Sequence, residues 1–245
     1  MNLVDIFWTA GVDSTCRVLE LAACQGFVIR PWYIVDPGRR SAGIEMERIR
    51  KMTELIRSNP ETVSELQDVN VVPLAEVSID PEIQAAYDRI GGKYALGKQY
   101  VWLASFLAGR DLYAELACEL PHTHIGAAIV GECAAVSRGE GPARVLAADP
   151  SAATADGLKL MGRMLFPGSI WEMTKQDEMD HMCKLGYREV FELTWFCHRP
   201  VLGMPCGHCA PCRSAAEEGF GWRIPKASRI IYPIARPVQK LFKKR

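Results

Sequence analysis

Four cysteines near one end of the sequence, Cys197, Cys206, Cys209 and Cys212, carry its most specific chemical signal. The last three form two overlapping C-x-x-C steps, a spacing that lets neighbouring thiolates converge on one metal ion. Cys197 supplies a fourth ligand across a loop containing Pro200, Gly203 and Pro205, and Gly207 permits a tight turn inside the knuckle. Four thiolates with no open position describe a structural zinc site, a staple rather than a catalyst. The competing reading is a set of unrelated buried or redox-active cysteines.

The second signal lies at the opposite end. Leu3 to Trp8 is a short apolar run that reads as a buried strand. Thr9-Ala10-Gly11-Val12-Asp13-Ser14-Thr15 leads from it into a helical pattern through Val18, Leu19, Leu21 and Ala22. Strand, small-residue loop and helix point free backbone N–H groups at an anion. Gly11 allows close approach of phosphate oxygens, and Thr9, Ser14 and Thr15 add hydroxyl donors. Asp13 fits such a site as a helix cap or as a contact to a metal carried by a nucleotide. The loop lacks G-x-x-x-x-G-K-[ST], so it is not a Walker loop.

Between these ends the sequence reads as alternating strands and helices. A strand over Val28 to Val35 completes a βαβ unit around a helix from about Ser14 to Cys24. Asp36-Pro37-Gly38 closes it in a turn. Arg39 and Arg40 then either face a phosphate or are solvated loop charges. A helix from Ile44 to Ile56, a polar stretch from Ser58 to Asp68 and a strand near Val69 to Val72 follow. Pro81 opens a helix with Ile83, Ala86 and Ile90 on one side. Gly91, Gly92 and Gly97 bracket a loop before Lys98, Gln99 and an amphipathic run from Tyr100 to Ala108. Lys98 there is a phosphate or substrate contact, or a plain surface lysine. Thr123 to Val130 reads as an inner strand, Ser137 to Pro150 as a mobile loop, and Ala153 to Leu165 as a helix. Thr174 caps a further helix that opens with Lys175, a cation set against the helix dipole. That placement points to an anionic ligand, with an exposed lysine as the alternative.

Composition bounds the rest. With 245 residues, 49% of them hydrophobic, the chain can bury a sizeable core and is not a disordered segment. Its formal net charge is zero, so overall charge gives no hint of nucleic acid. The N-terminal MNLVDIFW lacks a signal-peptide pattern, and no apolar stretch is long enough to span a bilayer. Nine cysteines without an export signal point to reduced thiols and a cytoplasmic location. Residues 221–245 carry eight basic residues and no acidic one, with Trp222, Ile230, Ile231, Tyr232 and Phe242 interleaved. This tail is either self-packing or a docking arm, for an acidic protein partner ahead of a nucleic acid or a membrane surface.

Thr9-Ala10-Gly11-Val12-Asp13-Ser14 resembles S-G-G-x-D-S, the signature of the PP-loop ATP pyrophosphatases, with Thr9 and Ala10 replacing the first Ser and Gly. Thr9 keeps a hydroxyl, and Ala10 fits if its φ is negative. With Thr194, Trp195, Cys197, Cys206, Gly207, Cys209, Cys212, Gly219 and Phe220 in order and spacing, the chain resembles the 7-cyano-7-deazaguanine synthases. Arg213 matches that family's arginine only approximately. Gly97-Lys98-Gln99 and Thr174-Lys175 resemble its P-G-R-N and S-K segments more loosely.

The resemblance implies an adenine-nucleotide α-hydrolase-like, Rossmann-like α/β fold. A parallel sheet carries helices on both faces and a C-terminal zinc-binding appendage. Residues 1–190 would be the ATP-binding domain, 191–220 the four-cysteine zinc region and 221–245 the basic tail. It further implies a homodimer and an ATP-dependent ligase. Such an enzyme adenylates the carboxylate of 7-carboxy-7-deazaguanine, condenses it with ammonia and dehydrates the amide to a nitrile. Thr9, Ala10, Gly11, Val12, Asp13, Ser14, Thr15 and Lys98 would hold ATP, with Asp13, Ser14 and Lys175 catalytic and Mg2+ bridging the phosphates. The family's G-A-N-x-x-D and Y-P-D-C base contacts are absent. Gly126-Ala127-Ala128-Ile129-Val130-Gly131-Glu132-Cys133 stands there, leaving Glu132, with Arg40, as expected substrate contacts. Relatives in anti-phage gene clusters suggest a variant of this chemistry, attachment of the base to a protein or nucleic-acid amine. A tRNA thiolation ligase and a non-catalytic nucleotide-binding subunit also stay open.

Overall fold

The computed structural model describes residues 1–118, 123–228 and 230–232. β1 (Asn2–Phe7), α1 (Val12–Ala22) and β2 (Phe27–Val35) form the first βαβ unit, followed by α2 (Ala42–Ser58). Next come β3 (Glu65–Leu66), β4 (Asn70–Pro73), α3 (Pro81–Ile90), α4 (Gln99–Gly109) and β5 (Ala114–Glu115). The remainder is α5 (His124–Cys133), β6 (Val136–Arg138), β7 (Val145–Ala147), α6 (Ala155–Met161) and β8 (Met164–Pro167). Short α7 (Gly168–Trp171) precedes α8 (Lys175–Lys184), α9 (Arg188–Leu193) and α10 (Ala210–Glu217).

The chain is an α/β protein with a mostly parallel central sheet. Strand order is β3-β2-β1-β5-β8-β7-β6, and β4 pairs with the same strand as β3, further along β2. β1 lies parallel to both β2 and β5, and β5 parallel to β8; β7 and β6 close that edge antiparallel. From β1 the strands therefore grow outward in two directions, through β2 one way and β5 the other. The carboxyl ends of β1 and β5 flank the crevice where such sheets take ligands.

The two-residue period of the strands divides the core. Ile6 and Trp8 of the first strand segment, with Ile29 and Tyr33 of β2, join α1, α2, α8 and α9 in one cluster. Phe7 and Ile34 face the other way, into a cluster with α3, α4, α5 and α6. Burying each of these large side chains contributes about 1.5–3 kcal/mol. The four cysteines, Phe220 and Ile224 belong to the first cluster, so the four-cysteine segment shares a core with β1 and α1.

Three expected elements are corrected. Thr123 to Val130 is not a strand: Thr123 caps α5, its Oγ1 accepting from Gly126 N at 3.2 Å. Ile125 and Ile129, one helical turn apart, are both buried, whereas Val130 is exposed. Within Ser137 to Pro150, β6 and β7 form an antiparallel hairpin at the sheet edge, not an unstructured loop. The helix expected over Ala153 to Leu165 stops at Gly162, and Met164–Pro167 crosses into the sheet as β8.

Candidate functional site

The turn after β1 is fixed from below and from the side. Trp8 N donates to Trp32 O at 2.9 Å and its Nε1 to Thr15 Oγ1 at 3.0 Å. Gly11 (φ −67°) caps α1 and, lacking a side chain, offers the first-turn N–H groups no cap of its own. A Cβ at Gly11 would stand 3.5 Å from Thr9 Oγ1 and 3.8 Å from Ser14 Oγ. The bare face of this glycine is thus ringed by two hydroxyls, the opening an oxyanion needs. Ala10 corrects an expectation: its φ is +59°, not negative. Ala10 is fully buried and its carbonyl accepts from Trp195 N at 2.7 Å. That bond helps hold a conformation costing an L-residue about 1–2 kcal/mol.

A cavity of about 530 Å³ opens above this turn. Thr9, Gly11, Asp13 and Ser14 line it from the end of β1, Asp36 and Arg39 from the end of β2, and Cys118 from beyond β5. Lys98, Gln99 and Trp102 enter from the start of α4, Trp32 from β2, and His198 from the cysteine segment. The walls therefore combine hydroxyls, two carboxylates, two cations and aromatic faces. Burial pushes the Cys118 thiol up, so it is protonated and a poor nucleophile. Burial, then the charge of Arg39, holds His198 below the ordinary imidazole value.

The expected site residues divide as follows. Thr9, Gly11, Asp13, Ser14 and Lys98 line the cavity, whereas Ala10, Val12 and Thr15 are not among its lining residues. Lys175 Nζ, at the start of α8, lies 2.7 Å from Asp13 Oδ1 and 3.4 Å from Glu178 Oε2, which brings a second helix start beside the turn. Of the arginine pair, Arg39 rather than Arg40 lines the cavity. Glu132 is not among the lining residues either. Its carboxylate takes Lys93 Nζ at 2.8 Å, Tyr94 Oη at 2.9 Å and Thr154 Oγ1 at 2.7 Å. These bonds hold Glu132 below the usual carboxylate range, Lys93 contributing most, and they fasten α5 to the loop after α3 and to α6. Glu132, expected to contact a base, here has three intramolecular partners.

Sequence reading missed the charges beneath the turn. Arg17 of α1, nearly inaccessible, donates to Glu115 at 2.6 and 2.8 Å and to Glu20 at 3.3 Å. Glu20 also accepts from Ser169 Oγ at 2.7 Å and stands 3.1 Å from His181 Nε2. Burial alone would raise the Glu20 pKa, but His181, Ser169 and Arg17 together bring it below the ordinary value. The cluster ties α1 to β5 and α8 across the crevice. Arg17 and Glu20 stand one helical turn apart, but Glu115, Ser169 and His181 lie far along the chain and leave no local pattern.

The four cysteine sulfurs lie within 4.8 Å of one another, all buried. Three of the Sγ–Sγ separations are 3.4, 3.8 and 3.9 Å. A tetrahedral zinc with bonds near 2.3 Å requires about 3.8 Å, so the donor set fits a metal such as zinc. Backbone N–H groups of Arg199 and Cys206 point at Cys197 Sγ (3.4 and 3.2 Å), and those of His208 and Cys209 at Cys206 Sγ (3.4 and 3.3 Å). Such donors stabilise thiolates. Trp195 Nε1 donates to Cys197 O at 2.7 Å, joining the four-cysteine cluster to the residue that holds Ala10.

The start of the tail packs on this knuckle. Arg223 donates to Thr194 O at 2.6 Å and covers the rings of Phe191 and Phe196, while Tyr232 stacks on His208 at 4.9 Å. Burial, then Arg48, brings the Arg223 pKa down to about 10. Arg229, Arg236, Lys240, Phe242, Lys243, Lys244 and Arg245, on which a docking arm depends, lie outside the described residues. Among those described, no helix is long and apolar enough to cross a membrane. Compared with known protein families and with curated proteins, the chain matches none.

Proposed function

We propose that this protein is an ATP-dependent ligase of the PP-loop type, most like the 7-cyano-7-deazaguanine synthases, that activates a deazaguanine carboxylate for attack by an amine. One observation carries the reading: the Thr9–Ser14 turn lines a cavity at the β1/β5 crevice, and the four-cysteine segment both supports that turn and supplies a wall of the cavity. A carboxylate is a poor acylating agent because oxide leaves badly. Its oxygen attacks the α-phosphorus of ATP, the bond to the β-phosphate oxygen breaks, and pyrophosphate leaves. The amine then displaces AMP from the acyl group, losing a proton. Ammonia gives the amide that precedes the nitrile; a macromolecular amine gives a conjugate.

Each residue has a task in this scheme. The first-turn N–H groups of α1 and the hydroxyls of Thr9 and Ser14 hold the departing pyrophosphate. Lys175, beside Asp13, adds positive charge where negative charge develops. Mg2+ enters with the nucleotide, and Asp13 and Asp36 are the cavity carboxylates able to meet it. Zinc, held by Cys197, Cys206, Cys209 and Cys212, supplies no chemistry to the reaction and fixes the wall that carries His198. Cys118, in the cavity wall, has its thiol pushed up by desolvation, which weakens the case for a thiolation ligase that needs a reactive thiolate.

Incubation with MgATP, 7-carboxy-7-deazaguanine and ammonium tests the proposal. The expected result is AMP and pyrophosphate in equal amounts together with an amide or nitrile, and Ser14→Ala lowers the rate about 10-fold or more. Absence of pyrophosphate release with any carboxylate, despite bound ATP, would instead mark a non-catalytic nucleotide-binding subunit.

A further inference from the structure

Arg39 stands just before α2 and shares the cavity wall with Asp36 and His198. Its Nε donates to Glu45 Oε1 at 2.8 Å and lies 3.4 Å from Ser41 Oγ. Glu45 is fully buried and also accepts from Ser41 Oγ at 2.6 Å and Tyr33 Oη at 2.9 Å. A guanidinium gripped at Nε by a buried carboxylate has its plane set before any ligand arrives. The side-chain hydrogen bonds of Arg39 all run through Nε, and its two terminal nitrogens make none among the described residues. The side chain is about a third exposed, which leaves those nitrogens reachable. A pair of parallel N–H donors matches two oxygens of one carboxylate or phosphate. Glu45 neutralises the arginine charge, so recognition here depends on the geometry of the fork more than on net attraction.

We propose that Arg39, oriented by Glu45 and flanked by His198, forms a second oxyanion subsite in this cavity, apart from the turn at residues 9–14. It grips one oxyanion of the reacting pair, the carboxylate of the acid or the α-phosphate of the nucleotide. The inference rests on the turn being the pyrophosphate site. Arg39 touches the ligand; Glu45 is a positioning residue acting through it.

Calorimetric titration of the full chain with magnesium pyrophosphate, AMP and 7-carboxy-7-deazaguanine, each alone, separates the possibilities. Arg39→Gln and Arg39→Lys should weaken either AMP or the acid at least 10-fold while pyrophosphate changes less than twofold. The lysine variant keeps the charge and loses the fork, so its failure to rescue binding is part of the expectation. Loss confined to the acid assigns the subsite to the carboxylate; loss confined to AMP assigns it to the phosphate. Glu45→Gln should weaken the same ligand, whereas Tyr33→Phe, which removes a different bond to Glu45, should leave it within twofold. Equal loss of all three ligands, or no change in AMP and acid, overturns the subsite while pyrophosphate binding leaves the turn assignment standing. A wild-type chain that ignores pyrophosphate would overturn that assignment and the subsite with it.

Discussion

Ala10 concentrates several opposing energies in one methyl group. Replacing it by glycine removes about 1–2 kcal/mol of left-handed strain. The same change gives up about 0.8 kcal/mol of buried carbon and about 0.5–1 kcal/mol of chain entropy. These nearly cancel, so Ala10→Gly should lie within about 1 kcal/mol of wild type in urea unfolding. Ala10→Val instead adds a β-branched side chain at φ +59° in a filled space, and should cost at least about 2 kcal/mol and abolish pyrophosphate binding. The sequence shows that a small residue stands here; it does not show the sign of φ, which depends on Trp195 far along the chain. Arg39 and Arg40 teach the same lesson, since adjacent arginines look alike until Glu45 singles one out.

Among elements, those written in local chemistry were legible. Asp80-Pro81 with Ile83, Ala86 and Ile90 specifies α3 completely, and the Thr174–Asp177 capping box starts α8. β5 escaped because two residues, one of them Glu115, cannot display a period, and α5 escaped because a short apolar run fits strand or helix equally. β5 nevertheless forms one wall of the crevice, and its link to α1 is the Arg17–Glu115 pair. Arg17→Met leaves Glu115 buried and uncompensated, and should cost about 3–5 kcal/mol; adding Glu115→Leu should recover part of that loss. Glu20 sets the acid limit of the same helix contact. Its folded pKa lies below the ordinary 4.5, so its stabilisation is full above that pH and is lost as pH falls through the folded value. A pH series of unfolding midpoints should therefore drop on the acid side of 4.5, less steeply in Glu20→Gln.

Across the whole molecule, the four-cysteine segment is continuous with the core of β1 and α1. Cys209→Ser, or prolonged chelation, should thus loosen the Thr9–Ser14 turn as well as the knuckle. A loss of about 3 kcal/mol would lower the thermal midpoint by roughly 6–12 °C, with pyrophosphate affinity falling in parallel. A fall in midpoint with unchanged affinity would mean that the two ends are independent. The Trp195-to-Ala10 hydrogen bond carries a kinetic consequence as well. On the ribosome, β1 and its turn emerge well before the segment that braces them and cannot lock until that segment has been made. If the turn binds pyrophosphate as proposed, nascent chains should remain blind to it until Trp195 has been made, and acquire binding in one late step when Trp195 meets Ala10.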